Sequence, residues 1–171
     1  MRWAAVLVMA VTLQAQSSEP HIRAAVETLQ NGKAALAKKQ FESAASLFEK
    51  ATEIEPTFKE AREALIHVEL AVGHRMEAAK GITRLLEIEP GDAKNRVLLG
   101  QILLEEQQPE RALAQFSAAL TTNPSNADAL SGFATAAIGV GMTDRAKEAL
   151  ERGRKRFPSD PRFQARRKQN N

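Results

Sequence analysis

The stretch EIEP occurs at Glu53–Pro56 and again, further along the chain, at Glu87–Pro90. Two more steps of the same length each reach a proline, which gives the evenly spaced series Pro56, Pro90, Pro124 and Pro158. An alanine stands twelve residues before each of these prolines, at Ala44, Ala78, Ala112 and Ala146. Two series that keep one spacing over four periods indicate an array of repeats in which each unit packs on the next.

The composition favours helices for these repeats. Apolar residues make up 43% of the 171 residues, and aromatic residues only 5%. The abundant alanine, leucine, glutamate and lysine lose little conformational freedom in a helix. Because proline ends a helix, we expect the second helix of each repeat to stop just before its proline. The chain has no cysteine, which excludes disulfides and thiolate metal sites.

Each repeat has room for two helices with a short turn between them. The expected turns are Lys39–Phe41, Gly73–Arg75, Gln107–Pro109 and Gly141–Thr143. Pro109 suits the first turn of a helix, and Thr143 is expected to be an N-cap. After the last repeat, Asp160 is expected to cap a short helix whose Phe163 covers the end of the array.

This unit resembles the tetratricopeptide repeat (TPR), a helix–turn–helix whose length of about 34 residues equals the spacing of the two series. The family pattern has small residues where the two helices cross, matched by Gly32, Gly100 and the alanine series, whereas Ile66 departs from it. Phe48 and Phe116 are expected to fill the space between neighbouring repeats. The resemblance implies an all-α, right-handed superhelical solenoid of four repeats with a short C-terminal capping helix.

The same resemblance sets the boundaries of the repeats. We expect a signal peptide at 1–15, a lead-in at 16–24, repeats at 25–58, 59–92, 93–126 and 127–160, and a capping helix with a basic tail at 161–171. Within the fourth repeat, Gly132 and Gly139 lie inside a predicted helix, where each costs about 1 kcal/mol relative to alanine. They indicate tolerated sequence drift, close helix packing, or a place where a partner's backbone approaches the groove.

The N-terminus has the pattern of a secretory signal. Arg2 precedes an apolar run from Ala4 to Leu13, and small and polar residues follow. We expect cleavage after Ala15, or after Ser17 as the alternative. The apolar run is about half of the roughly 20 residues that span a bilayer, so a permanent anchor is not expected. The protein is therefore predicted to be exported by a bacterium, to the periplasm or the medium.

The sequence offers no support for catalysis. It contains no recognised nucleophile, phosphate-binding or zinc motif, so we expect no enzyme activity, cofactor or metal. In TPR arrays the first helices of successive repeats line a concave groove that binds peptides. Carried over to this chain, the lining includes Leu29, Lys33, Glu63, His67, Lys94, Val97, Gln101, Asp128, Ser131 and Thr135.

Positive charge is concentrated at the C-terminus. Residues 144–171 carry 10 lysines and arginines against 4 acidic residues, although the whole chain has a net charge of only +3. The predicted basic surface consists of Arg152, Arg154, Lys155, Arg156, Arg166, Arg167 and Lys168. Nucleic acid is not an expected partner, because no base-stacking aromatic residues are interleaved with these cations.

Two functions are consistent with the sequence. The first is a noncatalytic scaffold or adaptor in the bacterial envelope, which binds a peptide or helix of an envelope protein in the TPR groove. The second is an electrostatic tether to an anionic envelope surface or an acidic partner through the basic C-terminal region.

Overall fold

The computed structural model describes the backbone of residues 2–164 and the side chains of residues 20–164. Over this part the chain forms eight α-helices and one 3₁₀ turn, without a β-strand, which confirms the predicted all-α class. The helices are α1 (Arg2–Ala37), α2 (Phe41–Ile54), α3 (Lys59–Val72), α4 (Arg75–Ile88), α5 (Ala93–Glu105), α6 (Pro109–Thr122), α7 (Ala127–Gly139) and α8 (Thr143–Arg156), followed by the 3₁₀ turn Pro161–Phe163.

The helices keep the repeat spacing of the sequence. Helices α3, α5 and α7 begin at Lys59, Ala93 and Ala127, which are separated by the same step as the repeat prolines. Helices α2, α4, α6 and α8 each end two residues before a repeat proline. The chain divides into two compact units, residues 1–81 and 82–171, with the boundary inside α4.

The predicted signal peptide and its cleavage site lie in the N-terminal part of α1, where only the backbone is described. They stay predictions. Across the described residues, no helix is both long enough and apolar enough to cross a bilayer.

In the first unit, the core lies where α1, α2 and α3 pack together. Phe48 is fully buried, and a Cβ added at Gly32 would lie 2.5 Å from its ring. Glycine at position 32 therefore lets α1 approach the phenylalanine. Ile66, which departs from the family pattern, is also buried, and a Cβ at Gly81 would lie 2.8 Å from its side chain. The large side chain of Ile66 in α3 thus occupies the space that Gly81 in α4 leaves open.

In the second unit, Phe116 of α6 fills the space between α5 and α7. Its ring is fully buried, and a Cβ added at Gly100 would lie 2.8 Å from it. A Cβ at Gly132 would overlap three atoms of the same ring. Gly132 therefore serves close packing, and the alternative in which it leaves room for a partner's backbone is wrong. The Cβ of Gly139 would meet Pro109 at 2.9 Å.

The turn inside each repeat contains one residue with a left-handed backbone. These residues are Lys39 (φ 58°), Gly73 (φ 87°), Gln107 (φ 56°) and Gly141 (φ 77°), each at the same position of its repeat. A positive φ is easy for glycine and costs other residues about 1 kcal/mol or more. The predicted N-cap at Thr143 is wrong, because α8 begins at Thr143 and its N-cap is Met142, whose side chain does not cap.

Helices α5 and α7 have the side-chain caps that α8 lacks. The carboxylate of Asp92 accepts a hydrogen bond from the Asn95 backbone N–H (3.0 Å), and the amide oxygen of Asn126 accepts one from Ala129 (2.8 Å). Each bond satisfies one of the free N–H groups in the first turn of the helix.

The carbonyl group of each repeat proline accepts a hydrogen bond from a later side chain. The pairs are Arg62 to Pro56 (2.7 Å), Arg96 to Pro90 (3.0 and 2.7 Å), Arg152 to Pro124 (3.0 Å) and Gln164 to Pro158. In three pairs the donor stands six residues after the proline. In the third repeat that position is the apolar Leu130, and an arginine of α8 donates instead.

The C-terminal end of the described chain follows the same repeat spacing, because Asp160 takes the N-cap position that Asp92 and Asn126 occupy in the preceding repeats. Asp160 accepts a hydrogen bond from the Arg162 backbone N–H (3.0 Å), and Phe163 is buried against Gly153. The Phe163 ring also stacks on Phe157, with 6.0 Å between the ring centroids. The capping element begins as predicted but forms a single 3₁₀ turn in the described residues. Arg166, Arg167 and Lys168 of the predicted basic tail lie outside them.

Candidate protein-interaction surface

Eight of the ten predicted groove residues are exposed or half-buried, and two are buried. Leu29 is 1% exposed and Val97 is 7% exposed, so the prediction that they line an accessible surface is wrong. Leu29 belongs to the core cluster that contains Phe48 and Val68. Both residues are aliphatic, and both side chains are buried because they contribute to the cores of their units.

One position of the first helix is exposed in all four repeats and differs in each of them. It is occupied by Lys33, His67, Gln101 and Thr135, which are separated by the repeat spacing. An ammonium, an imidazole, an amide and a hydroxyl group thus take the same place on successive helices. The repeats share their small buried residues, whereas this accessible position carries different hydrogen-bonding groups.

The first unit presents charged groups on α1 and α3. The Lys33 ammonium and a Glu60 carboxylate oxygen form an ion pair of 2.6 Å that links the two helices. Glu63 lies 3.8 Å from Lys59 within α3. Ile22 and Val26 on α1 are 49% and 41% exposed. This surface therefore offers both charge and apolar contact.

The second unit presents a graded surface on α5 and α7, which contact each other. Lys94 and Asp128 occupy matching positions near the start of the two helices, and both are exposed. Gln101 and Thr135 follow in the middle. Ile138, near the end of α7, is 61% exposed. The surface thus changes from charged to polar to apolar along the helices.

Asp128 makes a further contact with the C-terminal turn. Its carboxylate lies 2.5 Å from the Arg162 guanidinium, which also binds Asp160 at 2.6 Å. The Arg162 side chain, and then its backbone N–H, holds the pKa of Asp160 below its ordinary value. Hydrogen bonds to Asp160 and then to Asp128 raise the pKa of Arg162, so its positive charge is permanent.

The predicted basic residues of α8 divide between two sides of the helix. Arg152, Lys155 and Arg156 follow one another at intervals of three and one residues and share one side. Arg154 forms two hydrogen bonds with Glu151, at 3.0 and 2.7 Å, and this contact lowers the pKa of Glu151. The basic surface therefore consists of a neutralised side and a side rich in cations.

The described residues do not assemble a candidate metal centre. Within residues 20–164, no group of three or more His, Asp or Glu side chains is placed to hold an ion. His21 and His74 each lie near a glutamate, at 3.9 Å from Glu55 and 2.8 Å from Glu69.

Comparison with known proteins places these helices in a family. The family model for the tetratricopeptide repeat matches residues 35–102 and 103–169, which together make up most of the chain. No curated protein matches the sequence.

Solved structures share the fold. One is YrrB, described as a TPR protein with an unusual peptide-binding site, which is 21% identical with a TM-score of 0.70 over 95% of this chain and 87% of that one. Another is MamA from Desulfovibrio magneticus RS-1, 18% identical with a TM-score of 0.66 over 80% and 77% of the two chains. A third, MamA AMB-1, is 17% identical with a TM-score of 0.70 over 78% and 73%.

These likenesses, at such low sequence identities, show the fold alone, whereas the family model covers most of the sequence. Proteins of this family are generally noncatalytic interaction modules. The chain therefore belongs to the tetratricopeptide repeat family and has the fold of a protein–protein interaction scaffold.

Proposed function

We propose that the protein is a noncatalytic scaffold that binds a peptide or a helix of a partner protein on the exposed sides of its first helices. The observation that carries this proposal is the graded surface of α5 and α7. Lys94 offers a charge, Asp128 offers a carboxylate that is shared with Arg162, Gln101 and Thr135 offer hydrogen bonds, and Ile138 offers apolar contact. A peptide needs this mixture, because its backbone requires polar partners and its side chains supply the hydrophobic energy.

The helices that carry these residues are held firmly in place. Phe116 packs into the glycine gaps of both α5 and α7, and side chains cap the N-termini of both helices. A rigid surface loses little entropy when a ligand binds. The peptide-binding site in the description of YrrB supports the same kind of ligand for this fold.

The proposal extends to the first unit through the matching positions on α1 and α3. Lys33, Glu63 and His67 are accessible there and differ from the residues at the same positions in the second unit. Within each unit, a partner segment would be selected by the groups that the unit's own two first helices present. Specificity would then lie in the residues that change from repeat to repeat.

Photo-crosslinking tests this binding surface directly. A photoreactive amino acid at Gln101 or Thr135 is expected to crosslink the chain to a partner in extracts of the native cell. The matched control is the same amino acid at Arg111, which is exposed on the second helix α6. Equal crosslinking from Arg111 and from Gln101 would contradict the proposed surface.

We place the site of action in the bacterial envelope, in the periplasm or outside the cell, because of the signal-like N-terminus. Arg2 and the apolar run that ends at Leu13 support this location. N-terminal sequencing of the protein from the envelope fraction or medium is expected to start at Gln16, or at Ser18. A protein that starts at Met1 and stays in the cytoplasm would refute the location without affecting the binding surface.

The second candidate function is an electrostatic tether through the basic C-terminal region. Its support is the excess of 10 basic over 4 acidic residues in 144–171. Because Phe163 is buried, a useful deletion removes only residues 165–171 and leaves the end of the fold covered. Loss of envelope association with unchanged crosslinking at Gln101 would support the tether in addition to the scaffold.

A further inference from the structure

A cleft of about 340 Å³ lies where the α6–α7 turn meets α8. Its lining consists of Pro124, Ser125, Leu130, Arg152, Lys155 and Arg156. Leu130 is 1% exposed and forms part of an apolar floor, while the three cations stand along one side. The volume is at the lower end for ligand pockets, enough for one or two side chains of a partner.

The charge of this cleft is unbalanced within the described chain. Three of its six lining residues are cationic and none is acidic. Lys155 forms a long ion pair with Glu151, at 3.9 Å, but Arg154 holds the same carboxylate with two hydrogen bonds of 3.0 and 2.7 Å. Like charges held close together repel each other, and an anion between them relieves the repulsion.

The cations at the end of α8 also have a structural benefit, which does not account for the cleft. Positive side chains in the last turn of a helix interact favourably with its dipole. That effect applies equally to Arg154, Lys155 and Arg156 in the last turn. It does not require Arg152, which lies a turn earlier and is fixed to the Pro124 carbonyl group (3.0 Å) at the wall of the recess.

We propose that this cleft binds an acidic segment of a partner protein, with a carboxylate between the three cations and an aliphatic side chain against the exposed ring of Pro124. The three cations are exposed, and the accessible lining between them is more apolar than polar. This mixture favours a peptide over a membrane surface, because a peptide supplies an aliphatic side chain beside its carboxylate, whereas a lipid headgroup supplies only the anion. A bidentate contact from an arginine to the carboxylate would add geometric selectivity. The cleft would act as a second contact beside the scaffold surface and does not depend on it.

Fluorescence anisotropy with a labelled peptide of alternating glutamate and leucine tests the proposal at one fixed, low ionic strength. The double variant Lys155→Gln/Arg156→Gln is expected to weaken binding by about tenfold. The matched control is Lys147→Gln/Arg154→Gln, which removes the same charge from the same helix but from residues outside the lining of the cleft, paired with Asp144 at 3.2 Å and with Glu151 at 2.7 Å. It is expected to weaken binding by no more than about twofold.

One further variant and one alternative anionic ligand complete the test. Ser125→Glu places a carboxylate in the cleft without removing a cation, and is expected to abolish binding of the peptide. Vesicles of phosphatidylglycerol and phosphatidylcholine serve as the alternative anion. Equal weakening in both double variants, no peptide binding by the unmodified protein, or binding to the vesicles alone would overturn the proposal.

Discussion

The guanidinium group of Arg96 donates two hydrogen bonds to the carbonyl oxygen of Pro90, from Nε at 3.0 Å and from Nη2 at 2.7 Å. Proline supplies no N–H but keeps its carbonyl acceptor, so the residue that ends one helix provides an acceptor for the next. The contact closes the connection between α4 and α5. The prolines that mark the repeat spacing thus also accept hydrogen bonds from side chains later in the chain.

Removing this contact is expected to lower stability. Arg96→Met keeps most of the aliphatic length of the side chain but loses both hydrogen bonds to Pro90 and a third one, from Nη1 to the amide oxygen of Gln115 (3.2 Å). We expect the free energy of unfolding to fall by about 1–2 kcal/mol. Urea denaturation followed by circular dichroism measures the change. Arg84→Met, at an exposed position of α4, is the control and should change the value by no more than about 0.5 kcal/mol. Equal effects of the two substitutions would contradict the assigned role.

Two substitutions at the turn position with positive φ are expected to change the free energy of unfolding in opposite directions. Gly141→Ala should lower the free energy of unfolding by about 1 kcal/mol, because an added Cβ disfavours φ 77° although no atom is near it. Gln107→Gly should raise stability by a few tenths to about 1 kcal/mol, because it relieves φ 56° at the matching position. Thermal unfolding of the two variants shows whether the signs differ. A neutral Gly141→Ala would refute the strained turn.

Gly132 packs so closely on the ring of Phe116 that adding a single methyl group there should lower the stability of the fold. Gly132→Ala should lower the free energy of unfolding by about 1–3 kcal/mol, since the new Cβ would overlap the buried ring. Gly91→Ala is the matched control, because its Cβ would meet open space and its φ is not positive. Chemical denaturation should show a loss for Gly132→Ala alone. A stabilised Gly132→Ala would mean that the ring has room to move.

The C-terminal turn should contribute a pH-dependent part of stability through Asp160. Hydrogen bonds from Arg162 lower the pKa of this carboxyl below its ordinary value of 3.8. Its contribution is therefore complete above the unfolded-state pKa and is lost as the pH falls through the lower folded-state pKa. Melting temperatures of the native protein and of Asp160→Asn should differ most near neutral pH and converge in acid. A difference that is constant between neutral pH and strong acid would exclude this linkage.

Much of the fold follows from the sequence because the repeat spacing is unbroken. The prolines, the alanine series and the turns have local causes, so their positions are visible in the residue order. The contact of Arg152 with Pro124 joins residues 28 apart in the chain and depends on how α8 packs. No local pattern reveals such a bond.

The interaction surface was harder to predict. The family resemblance names positions on the first helices, but burial depends on how each helix turns toward its neighbours. Leu29 and Val97 face the packed interior, whereas Gln101 and Thr135 remain accessible. The cation-rich side of α8 was visible only as a charge excess. Its division into a side paired with Glu151 and a side without a lining carboxylate required the structure.

The dissociation constant for the partner segment that crosslinks at Gln101 tests the central claim most directly. The segment is to be synthesised and titrated by calorimetry into the native protein, into Gln101→Arg/Ile138→Asp, and into the control Arg111→Gln. We expect Gln101→Arg/Ile138→Asp to weaken binding by about tenfold or more, and the control to leave it unchanged. Equal affinity for all three proteins would contradict the claim that the first helices form the binding surface.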